Sequence, residues 1–112
     1  MNKITWNEFE KIDIRVGTIM EAIDFPEAEK EAYKLRVDLG KKLGIKKSSA
    51  QITTLYTKRE LIGMQVLVAV NLHPKKIGPF LSECLIMGFY KEESSVVLAV
   101  PDKKIENGLR LV

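Results

Sequence analysis

Cysteine, histidine and tryptophan each occur once in 112 residues. A single thiol, Cys84, rules out a disulfide within the chain and suits a reducing compartment. One histidine and one cysteine cannot make the usual zinc site, which needs three or four nitrogen or sulfur ligands. His73 stands beside Pro74, where a solvated imidazole is more common than a catalytic one. No GxGxxG, Walker A loop or GxSxG elbow is present. The carboxylates of Glu8/Glu10, Glu27/Glu29/Glu31 and Glu92/Glu93 fall in polar stretches that read as solvated surface. No catalysis, metal or cofactor is expected. Long apolar runs are also missing. The longest, Val66-Leu67-Val68-Ala69-Val70, is far below a membrane span, and Met1 to Trp6 carries no secretory stretch. The expectation is a cytoplasmic chain without membrane insertion. Aromatic residues make up only 7%. Binders of single strands display stacking rings, and here only Tyr33, Tyr56 and Phe80 read as exposed candidates. That scarcity argues against general single-strand binding.

What is present fits one folded domain spanning residues 1–112. The chain is 46% hydrophobic and 29% charged, with a formal net charge of +3. That charge permits a nucleic-acid partner without requiring one. Thr5-Trp6-Asn7-Glu8 fits a capping box, opening a short helix to about Lys11 whose Trp6 and Phe9 can face one core. Asp13 to Ile19 reads as a strand whose apolar phase slips at Gly17, a structural glycine offering a bulge or bend. Phe25-Pro26-Glu27-Ala28 is a turn. Leu35, Val37 and Leu39 alternate with Lys34, Arg36 and Asp38 in a second strand. Residues 40–44 connect to a more polar third strand, Ile45 to Thr54. Thr57-Lys58-Arg59-Glu60 is a second capping box, and Gly63 can close its helix. Met64 to Asn71 should be the most buried strand. An irregular basic loop follows at 73–79, then strands over 81–89 and 96–100. Asn107-Gly108 is a turn signal. Three strands, a helix and two more strands is the order of an OB-fold barrel. The expected class is all-β: a five-stranded OB-fold barrel with short helices at the N-terminus and between strands 3 and 4. Periodicity alone leaves other small barrels open.

Four constellations suit binding. Lys41, Lys42, Lys46 and Lys47 flank Gly44 and make a local positive field that phosphates would feel. Ser48, Ser49 and Gln51 lie on the third strand, and strands 2 and 3, including Arg36, form the usual OB ligand face. Asn71, His73, Lys75 and Lys76 occupy the basic loop, with Phe80 adding apolar surface beside it. Arg15, Ser82 and Glu83 form a fourth group. Glu83, flanked by apolar residues, needs a partner, to be supplied by Arg15 or a nearby backbone amide.

Asp13-Ile14-Arg15-Val16-Gly17, the Leu-x-Val-Asp-x-Gly of residues 35–40, Glu60 to Val66, Asn71 to Lys76 and Ser82-Glu83-Cys84-Leu85 together resemble the tRNA-binding domain family. The resemblance runs from about Phe9 to Val112. At Gly44 to Thr53, and at Phe25 to Ala28 and Pro101-Asp102, it sharpens toward the CsaA export-related chaperones. It implies an OB barrel with terminal extensions and a homodimer. The implied partners are tRNA or other folded RNA and unfolded or precursor peptides; the alternative is a dedicated structure-specific tRNA binder in translation. Cys84 and Leu85 stand where the family commonly has Gly-Met, and Gly78-Pro79-Phe80 replaces a small, flexible segment.

Overall fold

A computed structural model describes residues 1–92 and 95–112, so Glu93 lies outside the described residues. The elements run α1 (Trp6–Glu10), β1 (Ile14–Asp24), β2 (Tyr33–Asp38), α2 (Gly40–Leu43), β3 (Ile45–Ala50), α3 (Lys58–Leu61), β4 (Gln65–Ala69), β5 (Lys75–Ile77), β6 (Phe80–Ser82), β7 (Leu85–Ile86), β8 (Gly88–Glu92) and β9 (Ser95–Leu98). Five strands make one antiparallel sheet in the order β3-β2-β1-β4-β7. Contacts between β3 and β7 bring its two edges together, nearly closing a barrel of OB type. Both capping boxes form: Thr5 with Glu8, and Thr57 with Glu60.

Alternation sets the core. Leu35 and Val37 on β2 point inward, as do Val66 and Val68 on β4, and meet Ile19, Ile52 and Leu61. Burying each such side chain contributes roughly 1.5–3 kcal/mol. β1 reaches this core while serving two neighbours, β4 along residues 14–18 and β2 along 18–24. The slip in its apolar phase is a bulge, and it falls between Ile19 and Glu21 rather than at Gly17. Met20 is the extra residue and turns outward. Gly17 stays in the ladder with β4. Its role is close approach: a Cβ there would sit 2.7 Å from Val37 Cγ1 and 3.0 Å from the Asp38 carbonyl.

Several other expectations need correction. Trp6 and Phe9 do not face a core; α1 buries no residue, and Trp6 is 81% exposed. A five-residue helix presents one apolar edge at most, and here that edge stays outside the core. The third strand ends at Ala50. The basic segment at 73–79 is not an irregular loop but contributes to a hairpin, with Lys75 opposite Ser82 and Ile77 opposite Phe80. The anticipated strand over 81–89 is broken into β6, β7 and β8, and α2 occupies the anticipated connection at 40–44.

The terminal segments are laid onto the barrel. Residues 108–111 run along the part of β1 that β2 does not cover. The Val16 amide donates to Leu109 O (3.1 Å), Gly108 to Val16 O (2.8 Å) and Leu111 to Ile14 O (2.8 Å). Gln65 holds this strap at Ile105, donating to its carbonyl and accepting from its amide. Gly40 and Gly108 both have positive φ (88° and 93°) and face each other. A Cβ on Gly40 would lie 2.6 Å from Asn107 O, and one on Gly108 would lie 2.7 Å from Leu39 O.

Candidate nucleic-acid interface

The site begins at the seam between β3 and β7, where a continuous ladder is lacking. The Glu83 carboxylate accepts the Lys47 amide (2.9 Å), while the Glu83 amide donates to Lys47 O (2.8 Å). Ser48 Oγ donates to Cys84 O (2.8 Å), and Ser82 Oγ accepts from the Ser49 amide (3.3 Å). Side chains thus stand in for missing backbone partners. Glu83 finds the backbone amide that the sequence reading allowed for. Arg15 is not its partner: Arg15 Nε binds Asp13 Oδ1 (2.7 Å) and Nη1 donates to Gly108 O (3.0 Å). Burial, reinforced by the Glu83 carboxylate, pushes the Cys84 thiol up to about 11.

Beyond the seam the chain opens into a groove of about 530 Å³. Ser49 and Gln51 of the β3 end, His73 and Lys75, and Ser82 all line it, and Ile52 and Ile86 are among its apolar residues. The segments around 48–53 and 71–76 therefore converge on one accessible wall. The side chains of Gln51, His73 and Lys75 have no hydrogen-bond or ion-pair partner among the described residues. Among the described residues no Asp or Glu lines the groove. The hairpins β5–β6 and β8–β9 both contribute to its lining.

A second surface lies on the outward face of β2 and β3. Cross-strand pairing puts Arg36 beside Lys47, and Lys34 beside Ser49. Phe80, at the β5–β6 turn, packs edge-on against Phe25 with ring centroids 5.3 Å apart. Lys34 Nζ sits 5.3 Å from the Phe25 ring and 6.0 Å from Phe80; Lys47 Nζ is 5.5 Å from Phe80. None of Lys34, Arg36 and Lys47 has an ion pair among the described residues.

Two candidate residues do not reach a ligand surface. Ser48 is 0% exposed and spends its hydroxyl on the seam. Strand parity explains this, because Ser48 pairs with inward-facing Leu35. Arg15 is half-buried in its pair with Asp13. Asn71 is exposed, but both ends of its amide are committed: Oδ1 accepts from Asp13 N (2.9 Å) and Nδ2 donates to Lys11 O (2.6 Å). Lys46 is half-buried, while Lys76 is exposed on the hairpin and faces away with Leu81. The expected exposed rings are also reassigned. Tyr33 is buried and donates to Tyr56 O, and the Tyr56 hydroxyl accepts from Leu98 N. The sequence reading missed Lys34 and Tyr90. Lys34 carried a signal, its alternation with Leu35. Tyr90 is 78% exposed at the groove, and only the break between β7 and β8 places it there.

Comparison with known proteins agrees on family. A family model described as "Putative tRNA binding domain" matches residues 14–110. The chaperone CsaA of Bacillus anthracis str. Ames is 39% identical, with a TM-score of 0.94 covering 99% of this chain and 100% of that one. The CsaA chaperone protein of Picrophilus torridus is 47% identical at TM-score 0.90, covering 98% and 100%. Among curated relatives, the methionine–tRNA ligase of Methanocaldococcus jannaschii is 37% identical over 111 residues, 99% of this chain but 17% of the ligase. The chain thus spans less than a fifth of the ligases it matches.

Proposed function

Because the chain belongs to the tRNA-binding domain family, we propose that it is a non-catalytic domain that holds folded RNA, chiefly tRNA. The observation that carries this reading is the row of Lys34, Arg36 and Lys47 on two paired strands, without ion pairs among the described residues, with Lys34 and Lys47 set over the rings of Phe25 and Phe80. Cations fixed in this way meet phosphates without a large ordering cost. The likeness to CsaA chaperones extends the proposal to a cytoplasmic export chaperone that also holds unfolded precursor peptides. The alternative, a dedicated tRNA binder in translation, draws on the likeness to methionine–tRNA ligases.

We assign the chain to a homodimer on the same footing. Trp6 is 81% exposed and Phe89 68%, leaving apolar surface that a second chain would cover. Two experiments test the RNA face and the dimer. Titrating tRNA at several salt concentrations should give a steep salt slope, and Lys34→Ala with Lys47→Ala should cut that slope by about 2. Sedimentation of the free protein should show two chains. An unchanged slope sinks the assigned face, and a monomer at micromolar concentration sinks the dimer.

A further inference from the structure

We infer that the groove beside the β3–β7 seam takes an unpaired nucleotide of the bound RNA, stacked on Tyr90. This rests on the RNA-binding reading above and adds a second, base-reading subsite to it. Tyr90 presents an open ring, 78% exposed, at the groove. Its cross-strand partner Val96 lines the groove with it. Gly88 begins the same strand packed so closely on β9 that a Cβ would lie 2.6 Å from Val96 Cγ1, so no side chain fills the space there.

The other lining groups suit the remaining parts of a nucleotide. Gln51 has a free amide, which offers a donor and an acceptor to a base edge. Lys75 supplies a cation for the phosphate, and among the described residues no carboxylate in the groove opposes it. At about 530 Å³ the space falls within the roughly 300–1,000 Å³ of small-ligand sites. A peptide's apolar side chain would use the floor alone and leave Gln51, His73 and Lys75 without partners. A nucleotide uses ring, amide and cation together. Unstacked bases in folded RNA are recognised in this way, by stacking on an aromatic ring and bonding at the base edge.

Two RNA hairpins of equal phosphate count, one fully paired and one carrying a single bulged nucleotide, provide the test. At fixed salt the bulged hairpin should bind about tenfold tighter to the unaltered protein. Tyr90→Ala should erase that difference, and Tyr90→Phe should restore it. Gln51→Leu should change which bulged base is preferred. Circular dichroism confirms that each variant folds. Equal affinity for the two hairpins, or equal loss for both on Tyr90→Ala, overturns the groove assignment alone. Failure of both hairpins and of tRNA to bind overturns the RNA reading itself. Tyr90-dependent binding of an unfolded peptide, with no effect of the bulge, assigns the groove to peptide and overturns the inference.

Discussion

The barrel has two places where a strand lacks a neighbour, and they are closed by different means. Along β1 the strap of residues 108–111 supplies backbone groups, bonded at 2.8–3.1 Å to Ile14 and Val16. Between β3 and β7 the closure rests mainly on the side chains of Glu83, Ser48 and Ser82. A backbone ladder draws two chains to about 4.8 Å and leaves nothing between them. Side-chain bridges reach farther, so the main chains can diverge just past the bridge. The groove lies beside these bridges, with Ser49, Ser82 and Cys84 in its lining. The proposed groove thus lies at the edge that is tied by side chains, and the edge tied by backbone carries none of the proposed contacts.

This contrast can be tested from both sides. The largest effect is expected at the seam. Glu83→Ala strips the Lys47 amide of its acceptor and should cost about 2 kcal/mol in a denaturant melt, with a drop in RNA affinity beside it. A melt unchanged within error would mean that the seam is not held by this carboxylate. A smaller effect is expected at the strap. Asp13→Asn should cost about 1 kcal/mol and leave RNA affinity alone. The Arg15 guanidinium, hydrogen-bonded to Asp13, holds that carboxyl below its usual range, with Arg110 and Lys42 adding to the effect. The contribution of Asp13 is therefore complete above the unfolded carboxyl's pKa and fades as pH falls through the lower folded value. Melting temperatures taken from pH 7 down to pH 2 should show that acid limb flattened in the variant. The smallest effect is expected at Cys84. With its thiol pushed up to about 11, the folded protein at pH 8 should remain unalkylated by mass spectrometry while the denatured chain reacts fully. Rapid labelling of the folded protein would show that the seam opens freely.

Local rules made much of this fold readable. Thr5 with Glu8 and Thr57 with Glu60 are self-contained over four residues, and both boxes form. The alternation from Lys34 to Asp38 fixed the inward face of β2. A flanked glutamate called for a partner, and Glu83 has one. What failed depended on partners distant in the chain. Ser48 reads as polar surface until Cys84 is known to lie beside it. Asn71 reads as a free amide until the end of α1 is seen to occupy it. One expectation failed locally instead: Asp13, two residues before Arg15, takes the guanidinium that was expected to partner Glu83. Tyr90 was hidden because one apolar stretch, 81–89, reads as a single strand although it turns twice. Periodicity carries no mark of those turns, since Ser82 and Glu83 act on the opposite strand.

The facing glycines at 40 and 108 narrow the routes by which this chain can vary. Each leaves room only for the other's peptide carbonyl neighbourhood, and each also sits at a backbone angle that other residues resist. In most packed contacts a bulky change on one side can be answered by a trimming on the other. Here both sides are already at the minimum, so nothing remains to trim. A mutation at either position has no second-site remedy within the pair, and any rescue has to come from moving the whole C-terminal segment.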